Sequence, residues 1–300
     1  MSIKALPATD VIVLGAGVVG LTLALLLAER GHRVLILSRP SPVIDWRTSP
    51  SVSALNRASQ RYFEQLGCWD RLGEAACIMR AMQVYTPTGA KLDWSSATYG
   101  EPDLGHIVSN SVLQTNLHDA AKTHSLIRFG DGGPIEAITS SKDQITLTIA
   151  GVTWVAKWLI GADGAQSTLR QMMVGPIDTY HYGQVAHTAV IAHRRHHQGF
   201  ATQHFLPDGP MALLPRYGGY HSVMVISWDG STPRSQDALL ARLNDKMGAY
   251  YGTLTYASNM QTHPLMGHHT PRYAGHRWAL VGDALLRVHP LAGQGLNAGL

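Results

Sequence analysis

Apolar residues fall in short runs along this chain, and the spacing of the runs predicts alternating strands and helices. Asp10 to Leu14 reads as a buried strand, Leu21 to Arg30 as a helix closed by Gly31-His32, and Arg33 to Leu37 as a second strand. Between the first strand and the helix lies Gly15-Ala16-Gly17-Val18-Val19-Gly20. This is a βαβ unit with G-x-G-x-x-G in the context that a dinucleotide site requires. The first glycine permits the tight turn, the second lets the backbone approach a pyrophosphate, and the third lets helix and strand pack closely.

Further along, Val52 to Leu66 has helical spacing and ends at Gly67, while Met79 to Trp94 alternates around the hairpin signal Pro87-Thr88-Gly89. Ser111 to His124 reads as a helix. Ile127 to Phe129, Gln144 to Ile149 and Val152 to Leu159 read as strands, the last broken by Gly161-Ala162-Asp163-Gly164. Gln184 to His193, Gly199 to Leu206, Met211 to Pro215 and Ser222 to Trp228 suit an antiparallel sheet. Ser235 to Tyr250 is a helix by the same reading, and Arg277 to Val281 a final buried strand. The fold class is therefore α/β: a Rossmann-like nucleotide-binding domain with an inserted, mostly antiparallel sheet domain. The expected division is 1–78, 105–180 and 271–300 for the first domain, and 79–104 with 181–270 for the second.

Composition narrows the function classes. The chain has 300 residues, 45% of them hydrophobic, which is ample for a large core. Only 15% are charged and the net charge is +4, with no Lys/Arg block, so nucleic-acid binding finds no support. Cys68 and Cys77 are too few for a disulfide framework or a Cys-rich metal site, and a reducing cytoplasm fits them. The apolar run Val11 to Ala28 mimics a signal peptide or membrane span. Glycines interrupt it, no small-residue cleavage site follows, and it is short of a full span, so a soluble chain is expected.

Three separated signatures stand in order: Gly15 to Gly20, Gly161 to Gly164, and Gly282-Asp283 followed by His289-Pro290-Leu291-Ala292-Gly293-Gln294-Gly295-Leu296-Asn297. Together they resemble the single-component flavoprotein aromatic hydroxylases of the para-hydroxybenzoate hydroxylase fold. Val52 to Ser59, Leu66 to Asp70, Leu104 to Val108, Phe205 to Pro210 and Ala212 to Pro215 look like the ubiquinone-biosynthesis branch. The resemblance implies FAD held in extended form, with Gly15, Gly17, Val19 and Gly20 at the pyrophosphate and Ser38-Arg39 at the adenosine end. It places Gln114, Asp163 and Gly164 beside the cofactor, and Gly282-Asp283 at the ribityl and phosphate region. Pro290, Gly293, Gln294, Gly295, Leu296 and Asn297 then lie against the flavin ring, with a helix N-terminus at Gly293 to Leu296 facing its N1–C2 carbonyl, and His289 and Pro290 as flavin and substrate environment.

The implied chemistry is reduction of FAD by NAD(P)H, reaction with dioxygen to a C4a-hydroperoxide, and oxygen transfer to the ring of a lipophilic polyprenyl phenol or quinol. No metal is implied. A cytoplasmic protein in peripheral contact with the inner membrane, or with a ubiquinone-biosynthesis complex, is expected.

The sequence also departs from that pattern. The second strand ends in Ser38 where the family usually carries an acidic residue, Ser51 replaces an arginine, and Ser109-Asn110 replaces Glu-Asn. Leu285-Leu286 replaces Ala-His, and the family continues beyond the position of Leu300. These departures open two competing readings: a truncated or non-catalytic paralogue serving as an interaction partner, and a flavin oxidoreductase for another aromatic substrate. Among other features, His193-Arg194-Arg195-His196-His197 reads as a solvated turn, and His263, His268 and His269 as surface loop. Cys68 reads as core. Met172, Met173 and Tyr180-His181-Tyr182 are open between core packing and the border of a substrate cavity.

Overall fold

The computed structural model describes residues 9–40, 42, 44–229, 235–290 and 293–300. Its first sheet has eight strands, centred on Thr9–Leu14. That strand pairs in parallel with Val34–Ser38 on one side and Val152–Gly161 on the other. Ile127–Asp131 extends the parallel order beyond Val34–Ser38, and Trp278–Leu280 extends it beyond Val152–Gly161. Residues from both ends of the chain thus build one sheet. The near-continuous apolar run of the first strand is explained by burial of both faces. Val11 and Val13 pack under the helices Val18–Glu29 and Asn110–Thr123. Ile12 and Leu14 pack on the other side against Leu147, Leu159, Trp278 and Leu280.

The second sheet has nine strands. Its long central strand Thr179–His193 pairs antiparallel with His221–Asp229 and with Gln261–His269. Ala81–Tyr85 and Lys91–Ser95, the hairpin expected around Pro87-Thr88-Gly89, form one edge. One face of this sheet carries Ala189, Ile191, Met211, Leu213, Met224 and Ile226 against the helix Gln236–Tyr251. That helix presents Leu239, Leu243, Met247 and Tyr251 at four-residue spacing, and Ser235 caps it by accepting from the Ala238 N–H at 3.2 Å.

Three local expectations are corrected. Val52 to Leu66 is not one helix: Val52–Leu55 is a strand paired with Gly105–Ser109, and the helix is Arg57–Gln65, capped by Asn56. The Asn56 side chain competes with a continued helix by accepting from the Ser59 N–H at 2.8 Å. His263, His268 and His269 lie in a strand rather than a loop, and His268 is buried. The stretch His193 to His197 is solvated only at Arg194, Arg195 and His196, because His193 and His197 are buried. Cys68 is core, as expected.

The two buried histidines sit in a polar cluster with His196, His221, Tyr251 and Ser222. His193 Nε2 lies 3.1 Å from Ser222 Oγ, and the His193 and His197 rings are 5.8 Å apart. Burial pushes His193 down to about 4, and lowers His197 and His221 as well. A histidine whose folded value is depressed binds fewer protons folded than unfolded. Its stabilising contribution is present above the ordinary value of 6.5 and is lost as pH falls toward 4. Denaturant unfolding at pH 6.5 and pH 5 is expected to show a loss of about 1.5 kcal/mol from His193 alone. A His193→Asn variant should flatten that dependence.

Candidate functional site

The three glycines of the first signature sit differently in space. Gly15 has φ +105°, and a Cβ there would stand 2.4 Å from the Ala162 carbonyl oxygen. A Cβ on Gly20 would stand 2.3 Å from the Gly15 carbonyl oxygen. Among the described residues Gly17 has nothing within 4 Å of its missing Cβ. The first and third glycines are therefore required by protein packing, and the second faces open space. Gly17 is also the N-terminal flank of the twelve-residue helix Val18–Glu29, where no side chain caps the first-turn N–H groups. Those groups are left for an outside acceptor, which is the arrangement that binds phosphate.

A cavity of about 470 Å³ opens in front of Gly15 and Gly17, at the carboxyl ends of the parallel strands. Ser38, Arg39, Gln114, Asp163 and Gly164 line it, all expected from the sequence. Gly132, Gly133, Ile135, Ile149 and Thr168 also line it and were not foreseen. The signal for them was present: Gly132-Gly133-Pro134 follows a strand, as the nucleotide loops do. A Cβ on Gly132 would lie 2.7 Å from the Ser38 carbonyl carbon, so only glycine lets this second crossing pass over the strand end.

Gln114 does not reach into the cavity as a free amide. Its Nε2 donates to the Ala16 carbonyl at 2.7 Å and so braces the glycine turn. Asp163 is divided. Its Oδ2 accepts from the backbone N–H of Thr168 at 2.8 Å, while its Oδ1 is buried and has no hydrogen-bond partner among the described residues. A buried carboxylate oxygen without a donor is costly. It calls for an O–H or N–H from a ligand in the cavity it borders. Cradle, uncapped helix and orphaned acceptor together fit an anionic dinucleotide with hydroxyl groups, as FAD is.

The last signature is tied to the same region but lies outside that cavity. Val19 lines no part of it; a Cβ built on Gly282 would lie 3.3 Å from Val19 Cγ2, and one on Gly299 3.0 Å. Val19 thus joins the first signature to the third. Asp283 is exposed on the short turn Gly282–Ala284. The Gly293-Gln294-Gly295-Leu296-Asn297 segment leads into a single turn of helix, Gly295–Gly299, too short for a summed dipole of any size. Asn297 serves the protein: its Nδ2 donates to the Ala54 carbonyl at 2.7 Å, and its Oδ1 accepts from the Asn56 N–H at 3.2 Å. Leu291 and Ala292 lie outside the described residues.

His289 Nε2 lies 2.9 Å from Gln184 Oε1, and its ring meets Tyr182 edge-on at 4.8 Å. Burial lowers its pKa, so it is neutral at pH 7. Gln184, Ala186, Thr188 and Val190 alternate onto one face of the second sheet, level with Ser227, Val225 and Val223 of the neighbouring strand. The bond to Gln184 therefore sets the His289-Pro290 loop over this face, which is lined by short and mostly apolar side chains. Tyr180 and Tyr182 are exposed on the same strand as Gln184; Met172 is exposed on the helix Thr168–Met173, whereas Met173 packs against the core.

Two of the departures from the resembled pattern are neighbours. Asn110 Nδ2 donates to Ser51 Oγ at 3.2 Å, and Ser53 Oγ lies 2.7 Å from Asn110 Oδ1. Val52 pairs with Ser109 in the same register. Ser51, Ser53 and the retained Asn110 form one uncharged hydrogen-bonded group, while the Ser109 hydroxyl lies 3.1 Å from Ser111 Oγ.

Fold and cavity define an α/β protein of the dinucleotide-binding class with an attached antiparallel sheet. The chain belongs to the FAD binding domain family, which matches it over residues 8–300. It is 31% identical over 299 residues to the ubiquinone hydroxylase UbiL of Rhodospirillum rubrum, an alignment covering 97% of this chain and 70% of that protein. It is 30% identical over 299 residues to the 3-demethoxyubiquinol 3-hydroxylase of Escherichia coli, covering 97% and 76% respectively. Among solved structures, Klebsiella pneumoniae HpxO complexed with FAD and uric acid superposes with a TM-score of 0.75 at 20% identity, over 97% of this chain and 77% of that one. Pseudomonas aeruginosa PqsL in complex with 2-aminobenzoylacetate gives 0.80 at 20% identity, over 98% and 83%. The likeness to these structures is one of fold.

Proposed function

We propose that this chain is an FAD-dependent monooxygenase that hydroxylates the aromatic ring of a polyprenyl phenol or quinol in ubiquinone biosynthesis. The observation that carries the reading is the cavity at Gly15 and Gly17, where an uncapped helix start and the unpartnered Asp163 oxygen face one space. The identity of 30–31% to ubiquinone hydroxylases supports the substrate class. The same reading divides the chain into a flavin part, 1–78, 105–180 and 271–300, and a substrate part, 79–104 and 181–270.

When bound, FAD supplies the redox chemistry, taking a hydride from NAD(P)H and activating dioxygen. The chain's own residues do the rest. The N–H groups at the start of Val18–Glu29 hold the pyrophosphate, with Ser38 and Arg39 at the adenosine end. Gly282-Asp283 and the Pro290 to Asn297 loop hold the ribityl and ring end. The face bearing Ala186, Val225 and Ala212 accepts an apolar ring and keeps water from it. Neutral His289, fixed by Gln184, stands at the edge of that face as a hydrogen-bonding group for a ring hydroxyl. A substrate with a long apolar tail resides in lipid, so the reading includes peripheral contact with the inner membrane or with a biosynthetic complex. Among the described residues no helix is long and apolar enough to cross a membrane.

The test is purification followed by turnover. A yellow protein with flavin absorbance, oxidising NAD(P)H and placing one atom of isotopic dioxygen in a short-chain demethoxyquinol, is the expected result. A colourless protein that takes up no added FAD would overturn the reading.

A further inference from the structure

We propose that His268, together with Arg170, is a positioning residue for the Gly282–Ala284 turn, and through it for the ribityl end of the cofactor. The proposal rests on the functional reading above, which assigns Asp283 to that end.

Both side chains are deeply buried, with His268 5% and Arg170 6% exposed. Neither belongs to the apolar core, and Arg170 has no carboxylate in ion-pair contact among the described residues. Instead the guanidinium spans backbone. Its Nη1 donates to the Ala284 carbonyl at 2.9 Å and its Nη2 to the Ala165 carbonyl at 2.6 Å. His268 Nε2 lies 2.9 Å from the Asp283 carbonyl oxygen and 3.1 Å from Arg170 Nη1. Thr270 adds its N–H to the Leu285 carbonyl at 3.0 Å. The turn is thereby fastened from two sides: from the helix that follows Asp163-Gly164, and from a strand of the second sheet.

The proton on His268 is determined by these partners. A carbonyl only accepts, so holding Asp283 requires the hydrogen on Nε2. The adjacent Arg170 Nη1 directs one of its two hydrogens to the Ala284 carbonyl, and its 3.1 Å approach to the protonated Nε2 is a close contact rather than a hydrogen bond. Burial and the neighbouring Arg170 and Arg287 charges lower the His268 pKa, whereas the Asp283 and Asp163 carboxylates act in the opposite sense on the pair. The arrangement is thus a neutral Nε2–H imidazole and a cation, meeting on two successive carbonyls of the turn that carries Asp283. Removing the imidazole frees the Asp283 carbonyl and loosens the turn that carries the Asp283 carboxylate.

The experiment compares FAD with ADP, a fragment that engages only the Gly15 to Gly20 end. Both dissociation constants are measured by titration calorimetry for wild type, His268→Leu, His268→Gln and Arg170→Lys. His268→Leu should weaken FAD about tenfold or more and leave ADP unchanged. His268→Gln, which keeps a donor near the Nε2 position, should recover most of the loss. Arg170→Lys, a single-point donor that cannot span two carbonyls, should weaken FAD selectively and stands in if His268→Leu does not fold. A parallel fall of FAD and ADP affinity, or no change in either, overturns the positioning role. A wild-type chain that binds ADP but not FAD overturns the functional reading itself, and the proposal with it.

Discussion

A Gly17→Val variant should fold as the wild type does and bind no flavin. The backbone at Gly17 is extended, φ −73° and ψ 173°, a conformation that valine adopts readily. Among the described residues nothing lies within 4 Å of the added Cβ. The added side chain therefore projects from open space toward the cavity that Gly17 lines. FAD affinity should fall about 100-fold or more, roughly 2.8 kcal/mol, while the melting temperature of the flavin-free protein stays level. Gly20→Val is the contrasting case. Its Cβ would stand 2.3 Å from a backbone carbonyl and 3.1 Å from the Ala162 Cβ, so it should lose stability along with flavin. Thermal melts and flavin absorbance on the two variants separate ligand clearance from helix packing. A Gly17→Val protein that purifies with a full complement of flavin would contradict the placement of the pyrophosphate.

Replacing Arg216 should produce the largest loss of stability among single polar substitutions in the second sheet. Arg216 follows the strand Gly209–Pro215 and is 3% exposed. It donates to the Ser49 carbonyl at 3.0 Å, to the Arg47 carbonyl at 3.5 Å, and to the Trp46 carbonyl. Its own carbonyl lies 2.6 Å from His197 Nε2. One cation thus holds the segment that leads into Val52–Leu55 against the second sheet. Arg216→Ala would strand these carbonyls and open a cavity, at a cost on the order of 4 kcal/mol. A melting temperature lower by about 8 °C is expected. Arg216→Lys should recover only part, because an ammonium cannot reach carbonyls set apart as a planar fork can. A loss under 1 kcal/mol for Arg216→Ala in denaturant unfolding would refute this account.

Much of the cofactor end was legible because its requirements are local. Gly15, Gly17 and Gly20 act within one turn, and their spacing alone states which contacts must be close. The central strand was legible because burial on both faces leaves a single unbroken apolar run. The strand at Val52 was missed because Val-Ser-Ala-Leu fits either period over four residues, and only its partner at Gly105–Ser109 decides the matter. The strand Gln261–His269 was missed because proline, glycine and three histidines hide its alternation. Arg170, Arg216 and His268 were illegible for a further reason. Each is buried where at least one carbonyl more than ten residues away meets it, and nothing in the neighbouring sequence records that meeting. The role of Asn297 was likewise invisible, since the Ala54 and Asn56 backbone that it holds lies in the first fifth of the chain.

That last contact has a consequence for how the protein comes into being. Asn297 reaches Ala54 and Asn56 across separations of 243 and 241 residues. Translation runs at about 5–20 residues per second, so Ala54 and Asn56 wait roughly 12–50 s for Asn297 to be made. During that interval the strand at Val52 to Leu55 lacks the clamp that the finished protein gives it. The Asn297 clamp on Ala54 and Asn56 is therefore among the last side-chain contacts to become available to that strand as the chain is made.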